Sequence, residues 1–215
     1  MRKLAWALAL ALSSPLAAQI TPKKVLLIGD SHTATPFGIG LDQKLRDKFG
    51  PTVATYGVGA TNIHWWVSLN RYAIPNGRYY FRAFNEGPTT QKQGYVPPPA
   101  IDVMMAKDWD IVIVALGSNP DQPSLDASVT AGMLMLTKIP ASSQCFWVGP
   151  PPMPCYGTRT DDLYPLFPQM VKLGGRSCRV IDSRNFVTAA QSSGCHYYGQ
   201  AAAHWADGVF KIIAP

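Results

Sequence analysis

The stretch KKVLLIGDSHTATP, residues 23–36, decides the fold. Residues 25–28 form a continuous apolar run, as a strand covered on both faces must. The run ends on Gly29, Asp30, Ser31 and His32, which are small or polar and ill suited to a core. Thr35-Pro36 then supplies a cap and a first-turn proline. Phe37, Leu41, Leu45 and Phe49 recur every four residues until Gly50-Pro51 stops the helix. A buried strand that passes through a polar turn into a helix is the first unit of an alternating β/α chain. In such chains the turn beyond the strand's carboxyl end is where ligands bind.

The unit recurs outward from there. Further buried runs lie at 111–117, 145–149 and 178–182, with a weaker one at 52–56. Between them, Ser124 caps a predicted helix running through Ile139, and others cover about 161–173 and 199–213. The alternation predicts an α/β fold: a three-layer α/β/α sandwich around a five-stranded, mostly parallel sheet with right-handed crossovers. Residues 71–99 break the pattern, being long, aromatic and rich in Gly and Pro. Asn76-Gly77 is a hairpin-turn signal within them. Tyr79, Tyr80, Phe81 and Phe84 there could form a sugar-stacking lip or the inner face of a hairpin packed on the domain.

Composition sets the class. Of 215 residues, 47% are apolar and 15% charged, which suits a folded core and excludes a disordered chain. Residues 1–18 read as a signal peptide. Arg2 and Lys3 precede a short apolar run, and small residues end in Ala17-Ala18. Cleavage after Ala18 leaves a single domain, 19–215, in the periplasm or secreted, with no integral membrane segment. No cysteine at the cut argues against a lipoprotein. Losing Arg2 and Lys3 takes the formal charge from +6 to +4, seventeen basic residues against thirteen acidic. These charges are scattered, so no nucleic-acid partner is expected. Nothing in the sequence bears on oligomeric state. Cys145, Cys155, Cys178 and Cys195, an even number without a C-x-x-C element, point to disulfides rather than zinc.

Every predicted strand ends in residues suited to a site: Gly29-Asp30-Ser31, then residues 57–62 (GVGATN), Gly117-Ser118-Asn119, Gly149-Pro150-Pro151 and Asp182-Ser183-Arg184. Cys195-His196-Tyr197 follows near the end. Four of these blocks, in order, resemble those of the SGNH (GDSL-type) hydrolases, secreted esterases. IGDSH resembles the nucleophile block, GVGATN the second with Gly59, GSN the third with Asn119, and SGCHY the last with His196. The likeness runs from about residue 23 to the end, apart from 71–99. It implies a flavodoxin-like sandwich and a serine esterase without metal or cofactor. Ser31 is the implied nucleophile and His196 the base. The N–H of Ser31, the N–H of Gly59 and the amide of Asn119 are the implied oxyanion donors. Gly57 competes with Gly59 as a mere turn residue. The serine lies in G-x-S-x-T, which is not the G-x-S-x-G elbow of α/β-hydrolases. Asp30 reads as a structural hydrogen-bonder, and His32, His64 and His204 as packing or surface histidines.

The sequence departs from the family in one place. Ser193 stands three before His196, where the family usually has aspartate. The site then works as a Ser–His dyad, with a backbone carbonyl, or Ser193 through water, orienting the base, or takes an acid from elsewhere. Asp182, at a strand end, is the best-placed acid. Reading the last block at 207–210 instead would put Phe210 where the base belongs and leave no closing helix. The implied reaction is hydrolysis of a carboxylic ester, with O-acetylated carbohydrate the best-fitting substrate. A lipase or thioesterase, or a catalytically decayed glycan-binding protein on the same scaffold, are the alternatives. The strand positions also predict the bridges. Cys145 and Cys178 open neighbouring strands at one end of the sheet, whereas Cys155 and Cys195 lie beyond the other. A strand of five residues keeps its ends roughly 15 Å apart, too far for a cross-pairing. Cys145–Cys178 and Cys155–Cys195 are therefore expected.

Overall fold

In the computed structural model residues 22–69, 71, 78–90, 97–119, 124–156 and 161–215 are described. The expected leader and the Asn76-Gly77 turn lie outside them. In chain order the elements are β1 (Val25–Gly29), α1 (Pro36–Phe49), β2 (Val53–Val58), α2 (Ile63–Val67), β3 (Tyr79–Arg82), β4 (Thr89–Thr90), α3 (Ile101–Met105), β5 (Ile111–Ala115), α4 (Leu125–Lys138), β6 (Gln144–Val148), α5 (Phe167–Leu173), β7 (Cys178–Ile181) and α6 (Gly199–Ile213). Short 3-10 turns lie at Pro154–Tyr156, Asp161–Leu166, Ser183–Asn185 and Ala189–Gln191.

The strands form one sheet in the order β4-β3-β2-β1-β5-β6-β7. β1 is buried along its whole length and pairs in parallel with β2 on one side and β5 on the other. Side chains alternate across the sheet as the pleat requires. Val25, Leu27, Ile111 and Ile113 face a core shared with Phe37, Leu41 and Leu45 of α1 and Trp205 and Val209 of α6. Leu26, Ile28, Val112 and Val114 face the opposite core, with Trp65 and Trp66 of α2, Met135 of α4 and Phe167 of α5. Helices thus cover both faces, which is why these strands read as unbroken apolar runs.

Two departures from the sequence reading have local causes. The sheet has seven strands rather than five, because the excursion adds β3 antiparallel to β2 and β4 antiparallel to β3. What docks it there is a buried carboxylate on α1. Asp42, with no exposed surface, accepts hydrogen bonds from Thr55 Oγ1 at 2.6 Å, Tyr80 Oη at 2.8 Å and Arg46 Nε and Arg82 Nη1 at 3.1 Å. The aromatics expected either in a lip or in packing belong to packing. Tyr79 and Tyr80 are buried, and Phe81 and Phe84 pack on the core. The helix expected over 161–173 is half 3-10, because Pro165 and Pro168 lack the N–H groups an α-helix needs.

Candidate active site

Five parallel strands run the same way, so their carboxyl ends converge on one edge, and the turns there carry the quoted blocks. The turn after β1 is held from inside by Asp30. Its Oδ1 accepts the N–H of His32 at 3.0 Å and its Oδ2 accepts the N–H of Ser118 at 3.2 Å, locking the ends of β1 and β5 together. Burial pushes Asp30 up to about 6, against the pull of these hydrogen bonds. Ser31 follows, half-buried, before Thr33 and Ala34 turn back to donate to the Asp30 carbonyl. This tight turn needs room. A Cβ on Gly29 would lie 2.6 Å from the Ala115 carbonyl oxygen, and one on Gly57 would lie 2.6 Å from the Ala34 nitrogen.

Gly59 closes the end of β2. Its N–H donates to the Arg78 carbonyl at 2.6 Å, one rung beyond the β2–β3 pairing. Asn119 sits half-buried beyond β5, and its Nδ2 donates to the Thr61 carbonyl at 2.8 Å, which sets the direction of the amide. Thr61 is itself fixed by donating to the Val58 carbonyl and accepting from Trp66 Nε1.

His196 enters from the far end of the chain. Ser193 and His196 exchange backbone hydrogen bonds around Gly194, whose φ of +64° favours glycine. The Cys155–Cys195 bridge ties this turn to the loop after β6, with Cα atoms 5.4 Å apart. Cys145 and Cys178, register partners in β6 and β7, are bridged at the other end, 4.6 Å apart. The His196 ring comes to rest 5.2 Å from that of His32, centroid to centroid. His196 thus meets the neighbour of Ser31, 165 positions away in sequence, and among the described residues no hydrogen bond joins it to Ser31 itself. Burial, and then the Arg78 charge, hold His196 below the ordinary histidine value.

Neither Ser193 nor Asp182 hydrogen-bonds directly to the His196 ring. Ser193 touches His196 through main chain only. Asp182 is turned to Arg184 instead, accepting from its main-chain N–H and its guanidinium, which holds the carboxyl below its usual value despite partial burial. His64 and His204 are exposed on α2 and α6. What the sequence did not signal is the depth of His32, 2% exposed beneath the base, and the approach of Arg78 to Gly59, which only the β3 pairing creates.

Burial pushes His32 down to about 3, with His196 adding to the effect. Its sign opposes that of Asp30. Between about pH 3 and 6.5 the unfolded chain binds a proton that folded His32 refuses, so stability rises with pH. Between about pH 4 and 6 folded Asp30 keeps a proton that the unfolded chain has lost, so stability falls with pH. From pH 4 to 6 the two slopes oppose each other. His32→Leu should unmask the Asp30 slope, a fall in unfolding free energy of about 1 kcal/mol per pH unit across that window. Urea titrations of variant and parent at pH 4, 5 and 6 check this through the difference between them, and a variant with the parent's pH dependence refutes it.

No family model matches the chain, and no curated protein matches it. Solved structures do. A proposed arylesterase from Agrobacterium tumefaciens str. C58 matches with a TM-score of 0.59 at 20% identity, covering 89% of this chain and 98% of its own. A carbohydrate acetylesterase family member from Sinorhizobium meliloti matches at 0.56 and 14%, covering 88% and 97%. A DUF4886 family protein from Bacteroides uniformis ATCC 8492 matches at 0.54 and 14%, covering 90% and 83%. At these identities the likeness establishes a shared α/β fold over nearly the whole chain.

Proposed function

We propose that this chain is an exported serine ester hydrolase of the SGNH type, in a single domain, which deacetylates O-acetylated carbohydrate through an acyl-enzyme. The observation that carries the reading is the meeting of His196 with the turn of Ser31, with Asn119 and Gly59 at the neighbouring strand ends. Ser31 Oγ attacks the ester carbonyl while His196 takes its proton. Collapse of the tetrahedral adduct expels the alcohol, to which His196 returns the proton. Water activated by His196 then releases the acid. The oxyanion is held by the Ser31 N–H, the Asn119 amide and Gly59. For Gly59 to take part, the Arg78 carbonyl must yield the N–H it now accepts.

Export is supported by the leader-like residues 1–18 and by two disulfides. Among the described residues no helix is long and apolar enough to cross a membrane. The carbohydrate reading draws on the named acetylesterase neighbour.

Turnover of p-nitrophenyl acetate that vanishes in Ser31→Ala, with a fluorophosphonate label on Ser31, tests the reading. A chain-length series from acetate to palmitate separates an acetylesterase from a lipase or thioesterase. A glycan-binding protein on a decayed scaffold is the second reading, favoured by the occupied Gly59 N–H and by Ser193. Glycan binding without turnover would establish it. Asn119→Ala should lower kcat by about a hundred- to a thousand-fold with little change in KM. A raised KM alone would move Asn119 from oxyanion stabilisation to substrate positioning.

A further inference from the structure

Resting on the hydrolase reading, we infer that His32 is a positioning residue standing in for the acid that residue 193 does not provide: its imidazole accepts an N–H from His196 and fixes the tilt and tautomer of the base. Both nitrogens of His32, and Nε2 of His196, are buried without a hydrogen-bond partner among the described residues. Each such group left unpaired costs about 1–3 kcal/mol, so their position calls for a reason. A bond between the rings would pair Nε2 of His196 with one of the two His32 nitrogens. Two imidazoles joined by an N–H···N bond of about 3 Å have centroids about 5 Å apart, and these stand at 5.2 Å, tilted by 52°. The structure leaves the bond open, and a rotation of the rings, of the kind that tightens a site when substrate binds, would complete it.

Of the side chains around His32, Phe37, Ala115, Val148, Pro150 and Trp205 offer no acceptor, and the Ser118 hydroxyl is already engaged with Asp30. Trp205 meets the ring edge-on at 5.2 Å, and its own N–H is spent on Ser183 Oγ. The backbone of His32 is fixed as well, since its N–H is held by Asp30. Burial keeps the ring uncharged across the range in which a histidine base works, so one nitrogen lone pair stays available. The neutral ring orients His196 as a carboxylate would, without adding a buried charge.

The test compares the parent, His32→Leu and His32→Asn at pH 8, measuring kcat and KM on p-nitrophenyl acetate and the urea midpoint of each. His32→Leu should lose about ten- to a hundred-fold in kcat, with KM held within about twofold. Its urea midpoint should be equal to or above the parent's, because an orphaned polar group has been replaced by an apolar one of similar size. His32→Asn, which keeps a hydrogen-bonding group, should recover part of the rate. Activity falling while stability holds is the signature of positioning. Full kcat in His32→Leu overturns the inference and leaves the hydrolase reading standing. So does a joint fall of rate and stability, or a His32→Asn no faster than His32→Leu. A parent that turns over no ester, or a Ser31→Ala variant as active as the parent, overturns both.

Discussion

Alanine at His196 should lower kcat on p-nitrophenyl acetate by about ten-thousand-fold or more, since loss of the base in a serine hydrolase removes nearly all of the covalent pathway. His204→Ala, on the exposed face of α6, should keep most of the activity. The contrast comes from where the fold puts each ring. His196 is half-buried, fixed by its backbone exchange with Ser193, and bridged to the neighbouring loop through Cys195. Steady-state kinetics on the two purified variants, with circular dichroism to confirm folding, decide the matter. Near-parental turnover by His196→Ala would remove it from the mechanism. The rate of Ser31 labelling by a fluorophosphonate should fall in parallel, because the attacking hydroxyl depends on the same base.

The second large effect is on stability. Asp42→Ala should destabilise the fold by about 3–5 kcal/mol, the usual result of removing one partner from a buried ion pair. Arg46 is nearly as buried as Asp42, donates its Nη2 to the Val53 carbonyl, and cannot retreat to water when the carboxylate goes. Thr55 and Tyr80 lose their acceptor in the same stroke. The neighbouring surface change Asp47→Ala, which removes only the acceptor of a Gln43 amide, should cost about 0.5 kcal/mol or less. Chemical denaturation of both variants, disulfides intact, gives the comparison. Because the Asp42 cluster is what holds β3 to α1, amide exchange in residues 79–82 should rise before exchange in β1 does. An Asp42→Ala variant within 1 kcal/mol of the parent would show that the cluster is dispensable.

The parallel core was legible because its strands are buried on both faces. Val25–Gly29 and Ile111–Ala115 carry an apolar residue at almost every position, and nothing but a covered strand needs that. β2 was harder to read. Thr55 interrupts it, and the threonine is there to donate to Asp42, a partner thirteen residues away. The excursion was legible as a hairpin but not as part of the sheet, since β3 is held by Tyr80 and Arg82 reaching a carboxylate some forty positions upstream. At the site, the order of the blocks placed Ser31, Gly59, Asn119 and His196 near one edge, because each follows a recognisable strand or precedes a recognisable helix. Asp182 was a reasonable candidate by the same logic. A cation two residues on was the overlooked signal, for Arg184 folds back on it within a single 3-10 turn. The depth of His32 was hidden because a polar residue after a polar serine reads as surface, and its burial comes from Trp205 of a helix more than 160 residues later.

The two bridges interleave along the chain: Cys145, Cys155, Cys178 and Cys195 pair first with third and second with fourth. Neither covalent loop encloses the other. A protease that cut once anywhere between Cys155 and Cys178 would therefore release nothing. The amino-terminal piece, with Ser31, would stay joined to the carboxyl-terminal piece, with His196, by both bonds at once. Such a nicked chain would run as one band without reductant and as two with it, and its nucleophile and base would still belong to one covalent molecule.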